Sequence, residues 1–304
     1  MVTRLRAPNP SPMTLDGTNG YVIAAGPQTL VAIDPGIDDA AHIDAFVQLA
    51  RERRARFAAI FVTHGHPDHY PGALALRRAT QAPIYAHRSA TFGHDEPLDD
   101  GAQLAFGAAT LRAVHVPGHA PDHLVFWFEE ERALFTGDVV IGHGTVVVAP
   151  PAGDMRVYVR SLERLLREYG HADVIYGGHG PVIRTPRAKL EEYIAHRGRR
   201  EAQIVAALAH APATLPDLVS AIYADAPKAV WPVAARQALA HLIALIREGR
   251  VAAIPMDRPP TAAEAVLLNP NLRAVAKIPQ AETVRAELGL DAGAEPFVRY
   301  ALVA

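Results

Sequence analysis

The segment Thr63-His64-Gly65-His66-Pro67-Asp68-His69 places four nitrogen or oxygen donors in six residues. Histidine is the commonest metal ligand and the usual acid or base near neutral pH, and loops carried by a rigid scaffold are where sites are built. On an extended chain His64 and His66 face one side, while Asp68 and His69 can turn toward a second point one metal-metal distance away. The spacing therefore suggests two metal ions side by side, able to activate water.

Three further donors follow short apolar runs: His119 in Pro117-Gly118-His119, Asp138 in Thr136-Gly137-Asp138 and His179 in Gly177-Gly178-His179-Gly180. Singly, each could be an ordinary turn residue. With the first motif they make seven ligands, enough for two sites. His123, in Ala120-Pro121-Asp122-His123, reads as a supporting residue, and His87, His94 and His115 as structural or surface positions.

These donors need strands that end at a common edge. Residues 20–34 read as two short strands, 39–54 as a helix, and 57–63 as a buried strand running straight into the histidine loop. A helix near 71–80 and strands at 83–87, 103–116, 124–128 and 133–136 follow. A helix capped by Asp154 ends at Gly170, and a strand over 172–178 leads into His179. Such alternation gives an α/β domain. Residues 187–210 form a long connector helix, and Pro212 marks a boundary. Two or three short helices and a β-prone run up to 256 then outline a winged helix. Residues 257–304, with a helix-like stretch at 280–288 and the closing Phe297-Val298-Arg299-Tyr300-Ala301-Leu302-Val303, match no motif. The expected organisation is a catalytic domain over 1–186, a connector over 187–210, a winged helix over 211–256 and an extension over 257–304.

The 304 residues suit one large and one smaller domain at roughly 150 residues each. Half the residues are hydrophobic and 20% are charged, as in ordinary globular chains. A net charge of -2 lacks the global field of most nucleic-acid binders. With no cysteine, disulfides, thiolate nucleophiles and Cys-ligated zinc drop out. That suits a reducing, cytoplasmic setting. The N-terminal residues meet prolines before any apolar stretch, so neither a signal peptide nor a membrane anchor is expected.

The order His-x-His-x-Asp-His, His, Asp, His resembles the metallo-β-lactamase fold superfamily, residue for residue, over about residues 10–195. The resemblance implies a four-layer αβ/βα sandwich. It also implies that His64, His66 and His119 hold one metal, Asp68, His69 and His179 the other, and that Asp138 bridges them. A hydroxide between the two ions would attack a carbonyl carbon or a phosphorus, with Asp68 as the catalytic residue orienting it. With N and O donors alone, zinc leads, and manganese and iron are alternatives.

Branches of the superfamily that use a cysteine ligand are excluded. Nucleases with a large insertion do not fit either, since only 41 positions separate Asp138 from His179. Glyoxalase-type thioester hydrolases differ at the C-terminus. Closer is the lactamase-beta-like subgroup, which carries a C-terminal winged helix and includes a single-strand endoribonuclease and some thioesterases. Its likeness rests on Asn9-Pro10-Ser11-Pro12, Leu15-Asp16-Gly17-Thr18-Asn19, Gly142-His143-Gly144-Thr145 and Tyr193-Ile194-Ala195-His196-Arg197. By that likeness Thr18, Asn19, Thr145 and His196 are substrate-pocket candidates.

A small acyl ester, thioester or lactone is the expected substrate. Single-stranded RNA is the alternative, for which Arg197, Arg199 and Arg200 could track a backbone. A DNA-binding role for the winged helix is less favoured, because Lys228, Arg236, Arg247 and Arg250 are offset by Asp217, Asp225 and Glu248. No membrane partner is expected, and the C-terminal region is where a homo-oligomer would form.

Overall fold

A computed structural model describes residues 2–268 and 297–303, so the helix-like stretch expected at 280–288 lies outside the described residues. The chain divides into two compact units. One holds the residues up to Val146 together with Ser161–Tyr193, and the other holds Val147–Arg160 and the residues from Ile194 onward. The helices Met155–Tyr169 (α3) and Pro186–His210 (α4) run across the division.

The first unit contains two sheets. One has the order β1 (Val2–Arg6), β2 (Asn19–Gly26), β3 (Thr29–Ile33), β4 (Arg56–Phe61), β5 (Ile84–His87) and β6 (Glu96–Leu98). The other has the order β11 (Val174–Gly177), β10 (Ala133–Gly137), β9 (Leu124–Phe128), β8 (Ala109–His115) and β7 (Gln103–Phe106). Side chains alternate across a strand, and the two cores divide accordingly. Tyr21, Ile23, Ala59 and Phe61 face the second sheet and meet Leu111, Phe126 and Phe135. Their neighbours Val22, Ile60 and Val62 pack beneath α1 (Ala40–Glu52) and α2 (Pro71–Thr80), with Phe46 and Leu76. The expected αβ/βα sandwich is found. Asp39 caps α1 by accepting from the His42 N–H, and Pro71 opens α2 where a missing N–H costs nothing. Strands β1 and β6, absent from the sequence reading, extend the first sheet at its two edges.

The second unit contains β12 (Ala213–Thr214), α5 (Leu215–Ile222), α6 (Trp231–Arg247), β13 (Val251–Pro255), α7 (Ala262–Leu268) and β14 (Val298–Leu302). Thr214 and Asp217 form a reciprocal capping box at the start of α5. By length and composition α6, with the turn before it, could cross a membrane. Here its apolar residues Ala235, Ala238, Leu242 and Leu245 are core, packed with Leu218, Val219 and Tyr300. The expected extension contributes one strand to this unit. The closing segment is no motif-free tail, since β14 lies between β12 and β13, with Tyr300 opposite both Ala213 and Ala253.

An ion-pair network ties this unit together. Arg156 pairs with Glu201 and Glu248, Arg250 with both glutamates, and His241 Nδ1 lies 3.8 Å from Glu201. The His241 contact, aided by the two guanidinium groups and opposed by burial, holds the Glu201 carboxyl below the usual range. A depressed carboxyl stabilises the fold above its unfolded pKa, and the contribution is lost as pH falls. Glu201→Gln should therefore cost about 2 kcal/mol at pH 7. Thermal denaturation should show the gap shrinking as the pH falls toward 3, below the ordinary glutamate value; a gap constant with pH would refute the assignment.

Candidate metal centre

Strand β4 and Val62 end at Thr63, and Gly65 and Pro67 break the extended chain before α2. The His69 N–H donates to the His66 carbonyl at 2.9 Å and closes the loop. The other donors sit at the ends or just beyond β8, β10 and β11, so both sheets aim their loops at one point. All seven predicted ligands converge there, in two groups: His64, His66, His119 and Asp138, and Asp68, His69 and His179.

Within the first group His66 Nδ1 lies 2.9 Å from His64 Nε2 and 3.0 Å from His119 Nε2. In the second, Asp68 Oδ2 is 3.4 Å from both His69 Nε2 and His179 Nε2. Asp138 joins the groups: its Oδ2 is 3.9 Å from His119 Nε2, and its Oδ1 is 3.5 Å from His69 Nε2 and 3.2 Å from His179 Nε2. No side chain fits between Gly178 and this carboxylate, since a Cβ there would lie 2.6 Å from Asp138 Oδ1.

Electrostatics differ between the groups. Burial, followed by the neighbouring imidazoles, pushes His64 well below its ordinary pKa, leaving the neutral ring that metal ligation needs. Around His69 burial acts the same way, but Asp68, Asp138 and Asp34 outweigh it and raise the pKa well above the ordinary value. Burial also opposes protonation of His179, yet Asp138 and Asp68 push it up to about 9. A field this negative favours a cation. Two buried donor atoms, His69 Nε2 and Asp138 Oδ1, make no hydrogen bond. Buried polar atoms normally have partners, so the donor set fits divalent metal ions, which would satisfy both.

The outer contacts fix the rings. Asp34 is 2% exposed and accepts from the Thr63 N–H at 2.7 Å, the Thr63 hydroxyl at 2.6 Å and His69 Nδ1 at 2.9 Å. The Thr63 hydroxyl points its hydrogen at Asp34, so its oxygen accepts from His64 Nδ1 at 3.0 Å. With metal bound, both imidazoles would thus keep their proton on Nδ1 and offer the Nε2 lone pair to the site. His123 stacks on His64 with centroids 4.5 Å apart, and its Nε2 accepts from the Asp138 N–H at 3.1 Å. It supports, as expected from sequence. Asp34 was missed because Asp34-Pro35-Gly36 reads as a turn; its signal is a carboxylate directly after the apolar run Leu30-Val31-Ala32-Ile33.

Of the substrate candidates, Thr18 donates its hydroxyl to Asp68 Oδ2 at 2.9 Å. Asn19 is 1% exposed and gives its amide nitrogen to the Gly177 and Gly180 carbonyls, which fixes the turn bearing His179. Thr145 lies in the first unit on the loop after the Asp138 turn, half-buried. His196 belongs to the second unit, where burial and then Arg197, Arg200 and Arg199 lower its pKa to about 4. Neither Thr145 nor His196 falls in a donor group. His87 and His115 stack on one another at 4.1 Å outside both groups, and His94 bonds to the Phe92 carbonyl.

Comparison with known proteins agrees with this geometry. Residues 13–179 match the family described as the Metallo-beta-lactamase superfamily, and residues 214–257 match the Beta-lactamase associated winged helix domain. The Beta-lactamase-like protein 2 homolog of Caenorhabditis elegans is 35% identical over 262 residues, 82% of this chain and 85% of that protein. The atrochrysone carboxyl ACP thioesterase of Aspergillus fumigatus is 35% identical over 242 residues, 74% of each chain. A solved structure of a metallo-beta-lactamase family protein from Thermus thermophilus shares the fold, with a TM-score of 0.68 at 24% identity over 83% of this chain and 95% of that one.

Proposed function

The chain belongs to the metallo-beta-lactamase superfamily and is a hydrolase with a C-terminal winged helix domain, and from that premise we propose that it hydrolyses a small acyl thioester at a dinuclear metal centre. The observation that carries this reading is the pair of donor groups joined through the two oxygens of Asp138. His64, His66, His119 and Asp138 would hold one ion, and Asp68, His69, His179 and Asp138 the other. Zinc suits these N and O donors. When bound, such ions polarise a carbonyl and lower the pKa of water toward about 7.

The chain's own residues supply orientation. Thr18 fixes Asp68 through Oδ2, which leaves Oδ1 to accept a proton from the attacking water. The water oxygen bonds to the acyl carbon, the C–S bond breaks, and the thiol leaves with a proton. The preference for a thioester over other acyl groups draws on the thioesterase activity named for the fungal relative.

RNA is the less supported substrate. Arg197 is buried over the Tyr158 ring and Arg200 lies over the Tyr223 ring at 4.3 Å, so two of the three arginines are engaged inside the second unit.

Chelator-treated protein should lose activity and regain it on adding about two equivalents of zinc per chain, measured by elemental analysis alongside turnover. Hexanoyl-pantetheine and a labelled single-stranded RNA, given in parallel, test the substrate. Thioester turnover that is lost in Asp68→Ala supports the proposal. RNA cleavage without thioester turnover, or activity in metal-free protein, overturns it.

A further inference from the structure

Beside the metal centre the first unit has a second concavity, about 120 Å3 in volume, lined by Arg4, Arg6, Asp16, Asn19, Gly180 and Pro181. Its size is far below the roughly 300–1,000 Å3 that encloses a whole small ligand, so it has room for one group. Arg4 and Arg6 lie two apart on β1, opposite Tyr21 and Asn19, so both project from the same face of the strand. Arg4 Nη1 donates to the Gly180 carbonyl at 3.3 Å, and Arg6 Nη1 to Asp16 Oδ2 at 3.2 Å. A guanidinium has five N–H donors, and each of these spends one on the protein. The Arg6–Asp16 pair is exposed, 47% and 76%, and such pairs contribute little. An incoming anion can therefore displace Asp16 at small cost.

The walls tie this concavity to the reaction centre. Gly180 follows the ligand His179, and Asn19 follows Thr18, whose hydroxyl holds Asp68. An antiparallel backbone bridge joins Thr18 to His179, so the segments that carry the two walls are held together.

We propose that Arg4 and Arg6 form a subsite for the anionic group on the thiol arm of the substrate, which makes this a hydrolase of anion-bearing thioesters. The inference rests on the thioesterase reading above and adds what the thiol must carry. A phosphate on a pantetheine arm and a carboxylate of a peptidic thiol offer the same chemistry, a multidentate acceptor for two guanidinium forks.

Hexanoyl-phosphopantetheine and hexanoyl-pantetheine differ by one phosphate, and hexanoyl-glutathione supplies carboxylates instead. Metal-loaded wild type should favour one anionic thioester over the neutral one by about tenfold in kcat/KM, equivalent to about 1.4 kcal/mol. The difference should lie mainly in KM, and Arg4→Ala/Arg6→Ala should abolish it. Which anionic compound shows the preference identifies the source. In parallel, calorimetry should show phosphopantetheine or glutathione itself binding the wild type and not the double variant. Equal kcat/KM for charged and neutral thioesters in the wild type, or a preference kept by the double variant, overturns the subsite and leaves the thioesterase reading intact. Should no thioester be hydrolysed, that reading falls, and binding that is lost in the double variant still upholds the anion subsite.

Discussion

Asp68→Ala should lower kcat for the acyl thioester by about 10³-fold or more, within or above the range that a positioned acid or base contributes. Asp68 has two functions, and the substitution removes both. Its Oδ2 stands 3.4 Å from the Nε2 atoms of His69 and His179, so the metal position these residues would form with Asp138 loses one of its two carboxylates. The other oxygen is the group that would take the proton of the attacking water. The fold should survive, because the carboxylate is 24% exposed and the partner that donates to it most closely, Thr18, also accepts from Asn9. The melting temperature should move by a few degrees at most, and the metal content should fall from two equivalents toward one. Undiminished turnover in this variant would end the proposed mechanism. Asp68→Asn separates the two functions, since it keeps the shape and an acceptor for Thr18 but removes the charge.

The seven donors were legible because each interrupts a strand pattern at its end, where a short apolar run gives way to Gly, Pro or a charged residue. Helix α2 was equally legible, with Pro71 at its first position and Gln81 in the left-handed conformation just past its end. Strand β14 was not. Its hydrogen-bonding partners, β12 and β13, lie far back in the chain, and no local turn announces the pairing. The same holds for β1, whose exposed arginines alternate with residues that are only half-buried. Sequence could propose which residues surround the metals but not what each outer residue does. Thr18 and Asn19 were singled out by likeness to a subgroup, and only the structure separates a hydroxyl that holds Asp68 from an amide that fixes the His179 turn. The arginines of α4 are the converse case. Three basic residues within four positions suggest a phosphate track, yet Arg197 is buried and Arg200 covers a tyrosine, so two of the three are engaged in packing.

Asp34 carries the second large expectation, because it belongs to neither donor group and yet orients two of the candidate ligands. In Asp34→Ala the Thr63 N–H, the Thr63 hydroxyl and His69 Nδ1 lose their shared acceptor in a buried site. Each unpaired buried donor costs about 1–3 kcal/mol, so the loss in stability should total about 3 kcal/mol once the Thr63 hydroxyl finds another orientation. Freed of its hydrogen bond to Asp34, that hydroxyl no longer forces the His64 proton onto Nδ1, and His69 is no longer held in one tautomer. Loss of such outer contacts lowers metal affinity by about 10–100-fold. Excess metal should therefore restore much of the kcat of Asp34→Ala, whereas it should do nothing for Asp68→Ala. The backbone needs its own control, because Asp34 has φ +45°, a region that Ala tolerates poorly and Asn accepts. Asp34→Asn keeps that conformation and one acceptor oxygen, so it should fall between Ala and wild type in both melting temperature and metal affinity. An Asn variant as weak in metal binding as Ala would assign the whole effect to the charge, and one equal to wild type would mean that the carboxylate does not orient the histidines.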